Sequence, residues 1–230
     1  MPDPTNAILV GISGPSSSGK TTLARLLREI FTNVFILHLN DFYKTDADIP
    51  VNAEGIADWD CLDSINLPAL QGALEHIHAN GTSPRGFVSK EDKNSVGKVD
   101  VDEGELEDLK WKASRWMFQD VPPIAIIDGF LLYSDEMKAI RDLFDVKIFL
   151  RTDYETAKRR REARAVVWPN YVKDHAFLFK DGNVEGELDE ARLRDLDIRA
   201  MPSNARENMT ACMHWAYGII EEALEKRIAR

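Results

Sequence analysis

The segment GPSSSGKT, residues 14 to 21, constrains the fold of this chain more than any other, because of what stands on either side of it. It follows an apolar run, AILVGI (7 to 12), and leads into TTLARLLREI, where Leu23, Leu26, Leu27 and Ile30 recur on one helical face. A buried strand, a glycine-rich turn and a helix in that order match G-x-x-x-x-G-K-S/T in its required context. Backbone N–H groups of such a loop wrap a di- or triphosphate, and the helix N-terminus adds a favourable dipole. Lys20 then neutralises phosphate charge and Thr21 offers a hydroxyl to magnesium. Gly14, Ser17, Ser18, Gly19, Lys20, Thr21 and Thr22 are therefore the candidate nucleotide-binding residues.

Three further runs, VFILHL (34 to 39), IAIIDG (124 to 129) and VKIFLR (146 to 151), are nearly continuous in apolar character, as strands covered on both faces are. Helical patterns separate them, including Leu70, Leu74 and Ile77, so the chain reads as an α/β protein with a parallel sheet between helical layers. At 230 residues, one domain spanning 1 to 230 is expected. Residues 80 to 115 are polar and glycine-containing and read as a surface insertion, whose tail, ELEDLKWKASRWMF, suits one helix with Trp111 and Trp116 covering the sheet. A last helix is expected from Asn204, with Glu207 as its reciprocal cap, and Met209, Cys212, Met213, Ala216, Ile220 and Leu224 at helical spacing form its core face.

The formal charge of -10 and pI near 5.0 oppose a nucleic-acid partner, since phosphate backbones are bound by accumulated Lys and Arg. Cys61 and Cys212 stand far apart and outside metal-ligand spacing, so a reducing, cytoplasmic setting is expected. No apolar run reaches the roughly 18 residues that a membrane span needs.

Beyond the loop, IAIIDG ends a buried strand at Asp128, where a carboxylate can hold the shell of a magnesium ion. Thr152 and Glu155 form a capping box that opens a helix carrying Arg159, Arg160, Arg161 and Arg164, a short arginine-bearing lid over residues 152 to 170. One or two of these arginines, with Arg160 and Arg164 the candidates for the nucleotide, are expected to reach phosphate, and the others to lie at the surface. No Asn-Lys-x-Asp guanine-reading segment occurs, and His76 and His78, two apart on a helix, face different ways. A kinase of a small hydroxylated molecule fits these features, and it needs an acid near the γ-phosphate to receive the hydroxyl proton. LHLNDFYK, residues 37 to 44, offers Asp41 for that work.

Taken in order, GISGPSSSGKTTLARLL, NDFYK, ADWDCLDSINL, IIDGFLLY, DYETAKRRREAR, VWPNY and HAFLFKDGNVEGELD resemble a nicotinamide riboside kinase of the fungal type over most of the chain. The resemblance implies a P-loop fold like that of the nucleoside and nucleoside-monophosphate kinases. It also implies phosphorylation of a riboside 5'-hydroxyl by ATP with Mg2+. It places Trp59 and Asp60 where the family has an aromatic and an acid, Trp59 to stack on a pyridinium ring and Asp60 to accept hydrogen bonds from the ribose 2'- and 3'-hydroxyls. Arg161 would then lie near substrate and phosphates.

Two positions depart from the family pattern. Where the family has two acids before an aromatic pair, this chain has Asn40 and then Asp41. An amide cannot take a proton at neutral pH, and loss of a general base costs about 10²- to 10⁴-fold. Between Arg164 and VWPNY the family carries a longer lid with a substrate-covering tyrosine, whereas AVV joins the two here, so water should be excluded less well. The rival readings are a uridine or cytidine kinase, which shares the phosphate loop and a D-x-F-Y element, and a nucleotide-binding protein with weak catalysis.

Overall fold

The computed structural model describes residues 6–52, 55–89, 99–152, 154–155, 167–206 and 208–229. Strands β1 (Ile8–Ser13), β2 (Val34–His38), β3 (Ile124–Gly129), β4 (Val146–Phe149) and β5 (Ile198–Ala200) form one sheet in the order β2-β3-β1-β4-β5. Every neighbouring pair is parallel. Helices α1 (Lys20–Ile30), α2 (Leu67–Asn80), α3 (Glu103–Ala113), α4 (Lys138–Arg141), α5 (Val167–His175), α6 (Glu190–Asp195) and α7 (Met209–Ile228) accompany it.

The unbroken apolar character of β1 has a direct cause. Ile8, Val10 and Ile12 pack with Leu23 and Leu27 of α1, Leu109 of α3 and Met213 and Ile220 of α7. Ala7 and Leu9 face the other way, with Leu74 and Ile77 of α2, Ile140 of α4 and Tyr171 of α5. Helices thus cover both faces, and a strand so placed has no solvent side for polar residues to occupy. The fold is a three-layer α/β P-loop architecture.

Tertiary contacts tie the central strands together. Asp145 accepts a hydrogen bond from Leu9 N at 2.9 Å and returns one from its own N–H to Leu9 O at 2.9 Å, which sets β4 against β1. Tyr133, fully buried, donates its hydroxyl to Gly11 O at 2.7 Å, with Ile148 O 3.1 Å away.

The structure departs from the sequence reading in three places. The polar stretch 80 to 115 is not wholly a surface excursion, because Leu106, Leu109 and Ala113, with Trp116 just beyond it, are buried in the main core. Trp111 alone of its tryptophan pair stays out, 75% exposed. The last helix starts at Met209, not at Asn204: Asn208 has extended backbone and accepts from Ala211 N at 2.8 Å, whereas the Asn204 side chain accepts from the N–H of the next residue. The third difference is β5, a three-residue edge strand with only Ile198 buried, too short to announce itself by pattern. The expected reciprocal cap Glu207, and Arg159, Arg160, Arg161 and Arg164 of the expected lid helix, lie outside the described residues.

Candidate active site

All strands run the same way, so the loops leaving their carboxyl ends gather along one edge, where open α/β sheets bind ligands. The phosphate loop leaves β1 there, and its backbone conformation explains its composition. Gly14 has φ 146°, and a Cβ on it would stand 2.4 Å from Leu150 O, so no side chain fits. Ser17 takes the left-handed conformation at φ 65°, and Gly19 does so at φ 97° immediately before α1. Lys20 opens α1 and turns back to donate its Nζ to Pro15 O at 2.8 Å, closing the loop on itself. Thr21 and Thr22 follow in the first helical turn, half-buried, and the Ser18 hydroxyl is buried with no hydrogen-bond partner among the described residues.

Asp128, the last residue but one of β3, is in register with Ile12 of β1 and His38 of β2. His38 donates Nδ1–H to Asp128 Oδ1 at 2.8 Å. Asp128 Oδ2 is buried and has no hydrogen-bond partner among the described residues. A carboxylate held at one oxygen by His38 and left with a second, unpartnered oxygen suits a hard divalent cation, which takes oxygen ligands. His38 is the residue that sequence reasoning missed here, since only strand register brings it to Asp128, 90 residues away.

Residues 40 and 41 lie in a short 3-10 turn, Leu39–Phe42. Residues three apart eclipse in such a turn, so Leu39 and Phe42 both enter the core. Asn40 is left exposed and Asp41 is half-buried. The residue with a titratable side chain is thus the one turned toward the protein.

Across from the loop, Asp60 joins Pro15, Ser16, Phe130, Leu131, Tyr171 and His175 around one small cavity. Larger grooves exist at the amino ends of the strands, beside Asp145 and Glu222, and along β5, but neither touches the phosphate loop. Contact with Pro15 and Ser16 of the phosphate loop makes the small cavity the candidate site. Trp59, adjacent to Asp60, meets Tyr43 edge to face at 5.2 Å and remains half-buried.

His175 forms the floor of this cavity. It stacks on Phe149 at 5.5 Å and donates Nδ1–H to Tyr171 O at 3.0 Å. Burial, and behind it the charge of Lys20, push its imidazole from the ordinary 6.5 down to about 4, against the Tyr171 hydrogen bond. Its neighbour Asp174 is shifted oppositely, from 3.8 up to about 6, chiefly by burial, with the Glu136 and Asp58 carboxylates adding to the effect and Lys173 opposing it.

These shifts have opposite consequences for stability. As pH falls below 6.5, the unfolded chain protonates His175 while the folded chain refuses the proton until about 4. Stability is lost across that window, on the order of 3 kcal/mol at about 1.4 kcal/mol per pK unit. The folded chain protonates Asp174 near 6 and the unfolded chain only near 3.8, so this group adds stability as pH falls. His175→Gln is therefore expected to leave the protein less acid-sensitive than its parent between about pH 6.5 and about pH 4.5. Urea unfolding at both pH values measures this, and parallel losses in the two proteins would refute the assignment.

No family model matches the chain. Individual relatives do. A nicotinamide riboside kinase from Schizosaccharomyces pombe is 37% identical over 95% of this chain and 98% of its own. A second protein of that name, from Eremothecium gossypii, is 32% identical over 79% of this chain and 81% of its own. This chain belongs to the nicotinamide riboside kinase family. Because the likeness to the Schizosaccharomyces pombe kinase runs nearly end to end, it takes in the phosphate loop, the Asp60 loop and α5 together, not the phosphate loop alone. Among solved structures, a sugar kinase from Janibacter sp. HTCC2649 aligns over 94% of this chain and 95% of its own at 14% identity, with a TM-score of 0.46.

Proposed function

We propose that this chain transfers the γ-phosphoryl group of ATP to the 5'-hydroxyl of nicotinamide riboside, producing the mononucleotide that NAD synthesis consumes. The observation that carries this reading is the meeting of Asp60 with Pro15 and Ser16 of the phosphate loop around one cavity, in a member of the nicotinamide riboside kinase family. A ribose held at Asp60 would lie beside phosphates held on residues 14 to 21.

The roles follow from the side chains. Backbone N–H groups of Gly14, Ser17, Ser18 and Gly19, with Lys20, bind the phosphates, and Thr21 and Thr22 face them from the first turn of α1. Asp60 accepts the ribose 2'- and 3'-hydroxyls, and the indole of Trp59, its plane set by Tyr43, lies against the cationic ring. Asp41 receives the 5'-hydroxyl proton as the oxygen attacks phosphorus and ADP departs. Arg160, Arg161 and Arg164 are assigned to phosphate and transferred group from their sequence positions. Thr21 and Asp128 would hold magnesium, which when bound neutralises charge that develops on the phosphoryl oxygens.

The test is phosphate transfer from ATP and magnesium to nicotinamide riboside, resolved by chromatography, with uridine and no acceptor in parallel. Mononucleotide from nicotinamide riboside alone is the expected result. Product from uridine in preference would make the chain a pyrimidine nucleoside kinase. Nucleotide binding with no product from either acceptor would leave a nucleotide binder without transfer activity.

A further inference from the structure

The loop that carries Trp59 and Asp60 has no regular secondary structure between the isolated antiparallel bridge of Ala57 with Val51 and the 3-10 turn Leu62–Ser64. Such a loop holds a side chain in place only if its own backbone is pinned. Contacts from both sides pin it. From the carboxyl side, the Ser64 hydroxyl, on a buried residue, has Cys61 O at 2.6 Å and Trp59 O at 3.0 Å. From the other side, Asn170 of α5 reaches across: its Nδ2 donates to both carboxylate oxygens of Asp58, at 3.0 Å each, and lies 3.4 Å from Asp60 O.

Asp58 passes that restraint on to Asp60. Its Oδ1 accepts the backbone N–H of Asp60 at 3.1 Å, so the amide of Asn170, the carboxylate of Asp58 and the backbone of Asp60 form one connected unit. A carboxylate can only accept, which settles the orientation of the Asn170 amide. The next residue after Asn170 is Tyr171, which lines the same cavity as Asp60. The unit therefore joins the two walls of the cavity, loop and helix, at neighbouring positions.

We propose that Asn170 and Asp58 act as a latch that positions Asp60 for the riboside. Neither touches the reacting atoms: Asn170 works through Asp58, and Asp58 through the Asp60 backbone. The inference rests on the reading of Asp60 as the ribose ligand. It predicts that loosening the latch weakens riboside binding while nucleotide binding, made by the phosphate loop on the other side of the cavity, is retained.

The charge and hydrogen-bond character of the pair provide a reversible test. Asn170→Asp sets two carboxylates against each other at hydrogen-bond distance and should lower kcat/KM for the riboside by about 10- to 100-fold, mostly through KM. Asp58→Asn retains an acceptor for the Asp60 N–H and should cost less. The double exchange, Asp58→Asn with Asn170→Asp, restores a donor facing an acceptor and should return kcat/KM to within about three-fold of the parent. KM for ATP and the thermal midpoint of the double variant should match the parent, and riboside affinity by calorimetry should follow KM.

A parent-like KM for the riboside in Asn170→Asp would overturn the latch, as would an exchange that fails to recover activity while remaining folded. Equal losses in riboside and ATP binding would also overturn it, by showing a general structural role. The parent enzyme, run alongside, keeps the two claims apart. If the parent neither binds nor phosphorylates the riboside, the proposed function fails and the latch with it; if the parent is active and the variants are unaffected, only the latch fails.

Discussion

Lys20→Met is expected to lower phosphate transfer to nicotinamide riboside by about 10³-fold, the scale seen when one preorganised electrostatic contact to developing charge is removed. Two features of the structure define what is lost. Lys20 sits at the first position of α1, where the dipole already favours anions, and its Nζ is held over the loop by Pro15 O at 2.8 Å. The ammonium is therefore in place before the nucleotide arrives, with little reorganisation left for the transition state. Because a methionine keeps the length of the side chain and the residue is only half-buried, the thermal midpoint should change little. Steady-state kinetics with ATP varied will show the loss in kcat as well as KM. A variant with kcat within about ten-fold of the parent would remove Lys20 from the transfer step.

Asp41→Asn carries the second large effect, a fall in kcat of about 10²- to 10⁴-fold if this carboxylate receives the hydroxyl proton. The informative comparison is Asn40→Asp. That change rebuilds the paired acids seen in the family pattern, but residue 40 is exposed and residue 41 is half-buried. The expectation is thus asymmetric: Asp41→Asn is severe, and Asn40→Asp leaves kcat within about three-fold of the parent. A ten-fold or greater gain from Asn40→Asp would move the proton-accepting role to position 40. Retention of full activity by Asp41→Asn would show that transfer here depends on positioning and charge alone.

Much of the fold was legible because its causes are local. β1, β2, β3 and β4 read as strands since both faces of each are covered and no polar alternation interrupts them. The α1 face was legible from Leu23, Leu26, Leu27 and Ile30, all buried. The burial of α3 was not, because Leu106 and Leu109 stand among charged residues that dominate its composition, and only contact with α1 and α7 shows which side is inward. β5 had too few residues to show a period. The start of α7 was misplaced because Asn204 and Asn208 are equally good caps by type, and backbone conformation decides between them.

The same division runs through the site. Sequence alone determined the phosphate-binding segment 14 to 21, since adjacent residues build that loop and its chemistry depends on order along the chain. Its residues also offered Asp41 as a proton acceptor and Asp128 as a metal ligand, and its family resemblance added Trp59 and Asp60 for a riboside. Tertiary structure decided which of them meet, and what holds them. His38 reaches Asp128 only through strand register, Asn170 reaches Asp58 across 112 residues, and His175 of α5 meets Pro15 and Ser16 of the phosphate loop around one cavity. Contacts between side chains so far apart leave no periodic trace in the sequence, because spacing along the chain sets only the geometry of neighbours, while distant partners are joined by the packing of whole elements.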